Sequence, residues 1–559
     1  MAVPWRAFGL RTGALALLLL CVACGRRARG DDDRALRRVE MAVSCRSPGH
    51  RISPLVYGIA FIPLRDRKEQ HQFALGASAR RWGGNHTSRY NWELGNAWNT
   101  GADWYFRNVN YGGLPVWSWT DFLDDQRSRG FATALTVPIL GWVAKDRESY
   151  SFPVAVVGPQ QRVDPWRPDA GNGLTKDGER LAPPPPTQTS VEFPPAKAAA
   201  WVRAIRARDA RLGGRSVDLY LLDNEPMLWN TTHRDVHPEP AGYDEVLERI
   251  VAYGAAVRGA DPDAVIAGPG LWGWLAYNYS AKDAAAGFRN HPDREAHGDV
   301  PFLPWLLRQL RAHEQRTGVR VLDAVDVHFY PMVRGSGLNV RGATDPEASA
   351  RRIRATRALW DERYVDESWI AEPIALIPRL RRWIAENYPG RGIVIGEYNF
   401  GAEDHPSGGL ALAEALGRFG EQGIDAAFYW SYPAKGSHAL WAFRAYRNFD
   451  GRGGRFQDFH VPSSAGSGTS LFASRDQAGR RVVAIALNLE PDRPAEARID
   501  LGSCGRVESV RAYLHGPDDA GLVEVPAGTV EAGVLARTLP PWSILVLDVG
   551  VVPGDRDER

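Results

Sequence analysis

The chain has 559 residues, and 68 Lys and Arg against 66 Asp and Glu leave a formal charge of +2. Such a length buries a large core and suits two domains, while the near balance of charge, with no basic block beyond the first forty residues, argues against a nucleic-acid partner. Twenty Trp among 10% aromatics suit a protein that stacks indole faces on sugar rings, although most Trp in any chain serve the core.

In chain order, Arg6 and Arg11 precede an apolar run at 14–20, and small residues follow at Ala23 and Gly25. This reads as an export signal over 1–23, too short to span a bilayer. Val22-Ala-Cys24 resembles a bacterial lipobox, with Cys24 as the acylated residue. The departure is Cys21, where that pattern prefers Leu. The expected location is the outer membrane or cell surface through a lipid on Cys24, or simple secretion. Residues 24–37 are mostly charged and small and read as a flexible tether. A short strand-like piece opens the segment 38–53.

Eight strand candidates follow at 56–60, 80–84, 132–138, 217–222, 264–267, 324–329, 393–396 and 426–430. Helix-period segments such as 195–211, 242–260 and 304–317 separate them. Eight alternating units predict an α/β fold, a (β/α)8 TIM-like barrel over 54–444. Long excursions at 141–194, 272–300 and 332–378 follow strands 3, 5 and 6, which places them on the catalytic face as cleft walls. From 445 to 559 the texture changes to short strand-like runs between Gly, Pro and Asp, predicting a smaller β-sandwich.

The chemistry concentrates at strand ends. The largely apolar run 217–222 stops at Asp223-Asn-Glu-Pro226 and delivers Glu225, with Asn224 beside it as an amide donor. Arg391-Gly-Ile-Val-Ile-Gly-Glu-Tyr398 does the same for Glu397, flanked by Tyr398. Two carboxylates from two barrel strands are what glycoside hydrolysis requires. Strand 2 ends in Arg81-Trp-Gly-Gly-Asn85, and Arg81 is positioned to keep a nucleophilic carboxylate ionised. Trp82 and Asn85 are candidate sugar contacts. His328 and Tyr330, two apart on strand 6, point to one face, and Trp430 closes strand 8 as a floor for a sugar. His233, His237 and Glu239 superficially suggest a metal, but the neighbouring prolines favour a loop. Asp164, Asp169, Asn172 and Asp177 lie in a Gly-rich stretch that suits a structural calcium, without the spacing of an EF-hand. No cofactor is expected for catalysis.

The blocks Asp223-Asn-Glu-Pro226, Leu228-Trp-Asn-Thr-Thr-His-Arg-Asp-Val-His-Pro238, Arg81-Trp-Gly-Gly-Asn85, Ser88-Arg-Tyr-Asn-Trp-Glu93 and Gly396-Glu-Tyr-Asn-Phe400 resemble glycoside hydrolase family 44. The resemblance implies a monomeric, retaining endo-β-1,4-glucanase acting on cellulose derivatives, xyloglucan or mixed-linkage glucan. It matches Glu225 to the acid/base and Glu397 to the nucleophile. Similarity to related barrel hydrolases gives Tyr330 the task of orienting Glu397. The family pattern also implies that the N-terminal strand crosses into the sandwich, bringing Cys45 to Cys504 as a disulfide. The alternatives are an endo-xylanase or mannanase on the same scaffold, a metal-dependent hydrolase, or a non-catalytic glycan-binding surface lipoprotein.

Overall fold

The computed structural model describes residues 36–60, 71, 73–111, 118–288, 290–331 and 342–553. The export segment, Cys24 and nearly all of the tether lie outside the described residues. Eight parallel strands close into a barrel. They are β1 (Gly58–Ala60), β2 (Ala79–Trp82), β3 (Ala132–Val137), β4 (Leu219–Leu222), β5 (Ile266–Leu271), β6 (Ala324–Phe329), β7 (Gly392–Tyr398) and β8 (Ala426–Tyr429). β8 pairs with β1 to complete the ring. The barrel interior below the mouth is filled by small and branched side chains, among them Ala79, Ala134, Leu219, Leu221 and Val394. The larger apolar residues pack outward against the helices.

The fifth strand differs from expectation. Expected at 264–267, it runs Ile266–Leu271 and takes in Gly268-Pro-Gly270, where the register with β6 shifts between Pro269 and Leu271. Gly270 has φ 64°. A bulge is where a strand tolerates Pro and Gly.

Two antiparallel-rich sheets form the second body. One has six strands, with Thr469–Arg475, Arg481–Asn488, Ser543–Val552 and Arg506–His515 at its centre. The barrel helix Pro406–Gln422 lies against it. Contact is close because a Cβ on Gly417 would collide with the Phe472 ring. The other sheet incorporates the N-terminal strand Arg37–Val43, which runs parallel to Ala495–Asp500 and antiparallel to Ser463–Ala465. Val39, Met41 and Val43 alternate into the sandwich core. Just beyond this strand, Cys45 is joined to Cys504 by a disulfide.

Two histidine pairs sit on the seam between the bodies. His438 Nδ1 lies 2.9 Å from His515 Nε2, and His50 stacks on His460 at 4.8 Å. Burial, then the neighbouring imidazoles, push His438 down to about 4; burial, then His50, does the same for His460.

Two outcomes are expected. Replacing both Cys45 and Cys504 by Ala should lower the unfolding free energy by about 2–4 kcal/mol, read as a reduced denaturant midpoint. The folded state also disfavours protons on His438 and His460 that the unfolded chain, near 6.5, accepts. Stability should therefore fall as pH drops from about 6.5 towards 4. A melting series across that window should be shallower in His438→Asn than in the parent.

Candidate active site

Strand geometry aims the functional groups. Ala79 faces the barrel interior, so Arg81, two residues on, does as well, whereas Trp82 turns outward. The Arg81 guanidinium folds back over Gly83, where any Cβ would strike it. Gly84, at φ 93°, leaves the space that the Trp430 ring occupies. On β7 simple alternation would send Glu397 outward. A register irregularity between Ile395 and Tyr398, matched by one opposite His328, turns Glu397 into the mouth. Gly396 is required there because the Asp326 carboxylate fills the position of its Cβ.

Asp223 and Glu225 sit at φ 64° and 48°, a left-handed backbone that costs non-glycine residues of order 1–3 kcal/mol each. The buried Asp223 carboxylate offsets this by accepting from the backbone N–H groups of Asn224 and Leu140 at 2.8 Å, from that of Ile139, and from the Ser88 hydroxyl. It locks the end of β4 to the loops after β2 and β3.

The result is a connected polar network. Arg81 Nη1 donates to Glu397 Oε1 at 2.6 Å and Nη2 to Asn224 Oδ1 at 3.0 Å. The Tyr330 hydroxyl donates to Glu397 Oε2 at 2.7 Å. His328 Nδ1 lies 2.8 Å from Glu225 Oε1 and 3.6 Å from Glu397 Oε2. Asn224 Nδ2 donates to Asn85 Oδ1 at 3.0 Å, and Asn85 in turn donates to Asp103. Carboxylate oxygens of Glu225 and Glu397 approach within 4.8 Å.

The two carboxyls have opposite electrostatics. Burial raises the Glu225 pKa, and the nearby Glu397 charge adds to this against the partial opposition of His328. Burial would also raise Glu397, but His328, Arg81 and Tyr330 together outweigh it and hold its pKa below the ordinary value. Burial opposes charging of His328, yet the two carboxylates raise its pKa. Beneath it, burial pushes Asp326 up to about 6. Glu225, His328 and Glu397 are also the described trio whose atoms converge as metal ligands do. Arg81 already places a positive charge on Glu397, so the trio is complete as an ion-pair network.

These groups line a cavity of about 510 Å³, within the range of ligand pockets. Asn85, Asn224, Glu225, His328, Tyr330, Glu397 and Trp430 all face it. Trp82 and Tyr398 do not. Trp82 packs among Tyr90, Trp98 and Phe122, and Tyr398 among Phe419 and Tyr429. Both belong to the barrel–helix core, because each follows an inward-facing residue. In the expected calcium loop the side-chain oxygens have protein partners. Asp164 is engaged by Arg107 and Trp104, Asp169 by Tyr150 and the Ala155 N–H, and Asn172 by the Arg162 N–H. Asp164, Asp169 and Asp177 belong to no converging group of three His, Cys, Asp or Glu ligands among the described residues. His237 bonds Glu245 at 2.7 Å rather than Glu239.

Sequence reasoning missed Asp103 and the wall formed by Trp272, Trp274, Tyr277, Ile370 and Ile374. The aromatic run Trp272-Gly-Trp274 after a barrel strand was the available signal; the two isoleucines, inside the 332–378 insertion, offered none.

The comparisons agree with this geometry. The model of glycoside hydrolase family 44 matches residues 97–333. Endoglucanase A of Paenibacillus lautus is 30% identical over 543 residues, covering 90% of this chain and 71% of that protein. The crystal structure of CelM2, described as a bifunctional glucanase-xylanase from a metagenome library, superposes with a TM-score of 0.85 at 33% identity, covering 93% of this chain and 100% of that one. A Paenibacillus polymyxa xyloglucanase superposes at 0.76 with 27% identity, covering 92% and 100%. By this family match and these relatives, the chain belongs to glycoside hydrolase family 44.

Proposed function

We propose that the protein is a retaining endo-β-1,4-glucanase, with Glu225 as acid/base and Glu397 as nucleophile. The observation that carries this is the pair of inward glutamates. Their oxygens lie within 4.8 Å, in environments that raise the pKa of one and lower that of the other. Retaining enzymes hold their carboxyls about 5–5.5 Å apart, whereas inverting ones need about 6.5–9.5 Å for a water.

In the first step Glu397 attacks the anomeric carbon as the glycosidic C–O bond breaks, and Glu225 gives its proton to the departing oxygen. A glycosyl ester on Glu397 results. Glu225, now a carboxylate, takes a proton from water, the water oxygen attacks the anomeric carbon, and the ester bond to Glu397 breaks. Arg81 and Tyr330 each hold one oxygen of Glu397, fixing its orientation. His328 donates to one oxygen of Glu225 and leaves the other to carry the transferred proton.

Xyloglucan and mixed-linkage glucan join cellulose derivatives as candidate substrates, since relatives include an endoglucanase and a xyloglucanase. The bifunctional glucanase-xylanase CelM2 keeps xylan in any substrate panel. We further infer an exported protein, anchored through Cys24 or secreted; the Cys45–Cys504 bridge suits an oxidising compartment.

Proton NMR of early product should show the retained β-anomer, and an α-anomer would refute the mechanism. Glu225→Ala should lose about 10²–10⁴-fold in kcat/KM on polymer but much less on aryl glycosides, whose leaving group needs little protonation. The rate should be bell-shaped in pH. It should fall in acid as Glu397 is protonated below its lowered pKa, and in alkali as Glu225 loses its proton above its raised one. Arg81→Met should shift the acid limb to higher pH and cost about 10²–10³-fold in kcat/KM.

A further inference from the structure

No residue of the excursion 141–194 after β3 lines the cavity. The excursion carries a tight hairpin, Val163–Asp164 against Arg167–Gly171, with Pro165 and Trp166 at its tip. Trp166 is 79% exposed, more than any other large apolar side chain among the described residues. A single exposed Trp needs no explanation, but this one is held rigidly. Its ring stacks on Trp104 at 5.1 Å with an interplanar angle of 30°. The buried Asp164 carboxylate fixes both: it accepts from the Trp104 indole N–H at 3.1 Å and from the Trp166 backbone N–H at 2.8 Å, and Arg107 neutralises it. Tyr105 braces Trp104 edge-on at 5.3 Å. Tyr105 and Phe106 both adopt left-handed backbone, φ 57° and 50°, which is rare and costly for bulky residues. Strain and a buried charge are thus both committed to presenting an indole face to solvent.

The arm is continuous with the catalytic cavity. Trp104 directly follows Asp103, which lines that cavity and accepts from Asn85 at 3.0 Å; Asn85 in turn bonds the neighbour of Glu225. A β-1,4-linked glucose has equatorial hydroxyls, so both ring faces present C–H groups suited to an indole. A rigid platform binds such a ring without the cost of ordering a loop.

We propose that Trp166, backed by Trp104 and clamped by Asp164, is a distal sugar-binding platform for the part of a β-glucan chain that extends beyond the cavity. The proposal rests on the glucanase reading above and assigns the arm a preference for long chains. Trp166→Ala should lower kcat/KM on soluble β-glucan polymer about five- to tenfold, mainly through KM. It should leave an aryl cellobioside, too short to reach the arm, unaffected. Trp166→Phe should recover most of the loss, and Asp164→Asn should reproduce it in part while the melting temperature of Trp166→Ala stays that of the parent. Equal polymer kinetics in parent and Trp166→Ala would overturn the platform, as would equal losses on polymer and short substrate. If the parent cleaves no β-glucan, it is the glucanase reading that fails.

Discussion

The Arg81 guanidinium is the contact on which the active site depends. Arising from β2, it reaches β7 through Glu397 and β4 through Asn224, so one planar fork spans three strands of the barrel mouth. Burying such an ion is costly unless every partner is in place. Gly83 vacates the space that the guanidinium fills, the bulge in β7 brings the carboxylate to it, and Asn224 takes a remaining donor. Once Arg81 and Glu397 neutralise each other, a second charge on Glu225 has no cation of its own beyond the shared His328. In the mechanism proposed above, this favours the protonated Glu225 that the first chemical step requires.

Much of this was legible in the sequence, for identifiable reasons. Buried parallel strands read as short β-branched or apolar runs, so all eight were visible, and a carboxylate just past the end of such a run is conspicuous. Glu225 and Glu397 carried that signal, and Arg81, His328 and Tyr330 were read from the polar groups at the ends of strands 2 and 6. What failed was facing. Trp82 and Tyr398 adjoin inward-pointing residues and were taken with them, although neighbouring positions on a strand diverge. Where the pattern breaks, at Glu397, the cause is a bulge that Gly396 permits, and no periodicity announces it. The fifth strand, expected to stop at 267, runs on through Gly268-Pro-Gly270 to Leu271, with Pro and Gly accommodated at a bulge.

The oxygen-rich stretch after β3 shows the same limit at the level of side chains. Composition alone made Asp164, Asp169, Asn172 and Asp177 look like cation ligands. In the fold Asp164 and Asp169 satisfy indole, phenol, guanidinium and backbone donors. A carboxylate that braces an aromatic arm and one that binds calcium have the same sequence appearance; only the partners distinguish them.

The parallel pairing of Arg37–Val43 with Ala495–Asp500 affects how the chain is made. Arg38 and its partner Glu496 are 458 positions apart. At about 5–20 residues per second, the first strand leaves the ribosome roughly 20–90 s before its partner exists. Throughout that interval Val39, Met41 and Val43 have no sandwich core to enter, and both strand edges lack their final neighbours. The barrel begins only some fifteen residues later, at Gly58, so it can assemble first and hold the waiting strand near where the sandwich will form. The domain that is completed last thus closes on a strand that was made first, and a chain cut anywhere between them would leave that strand with no sheet to join.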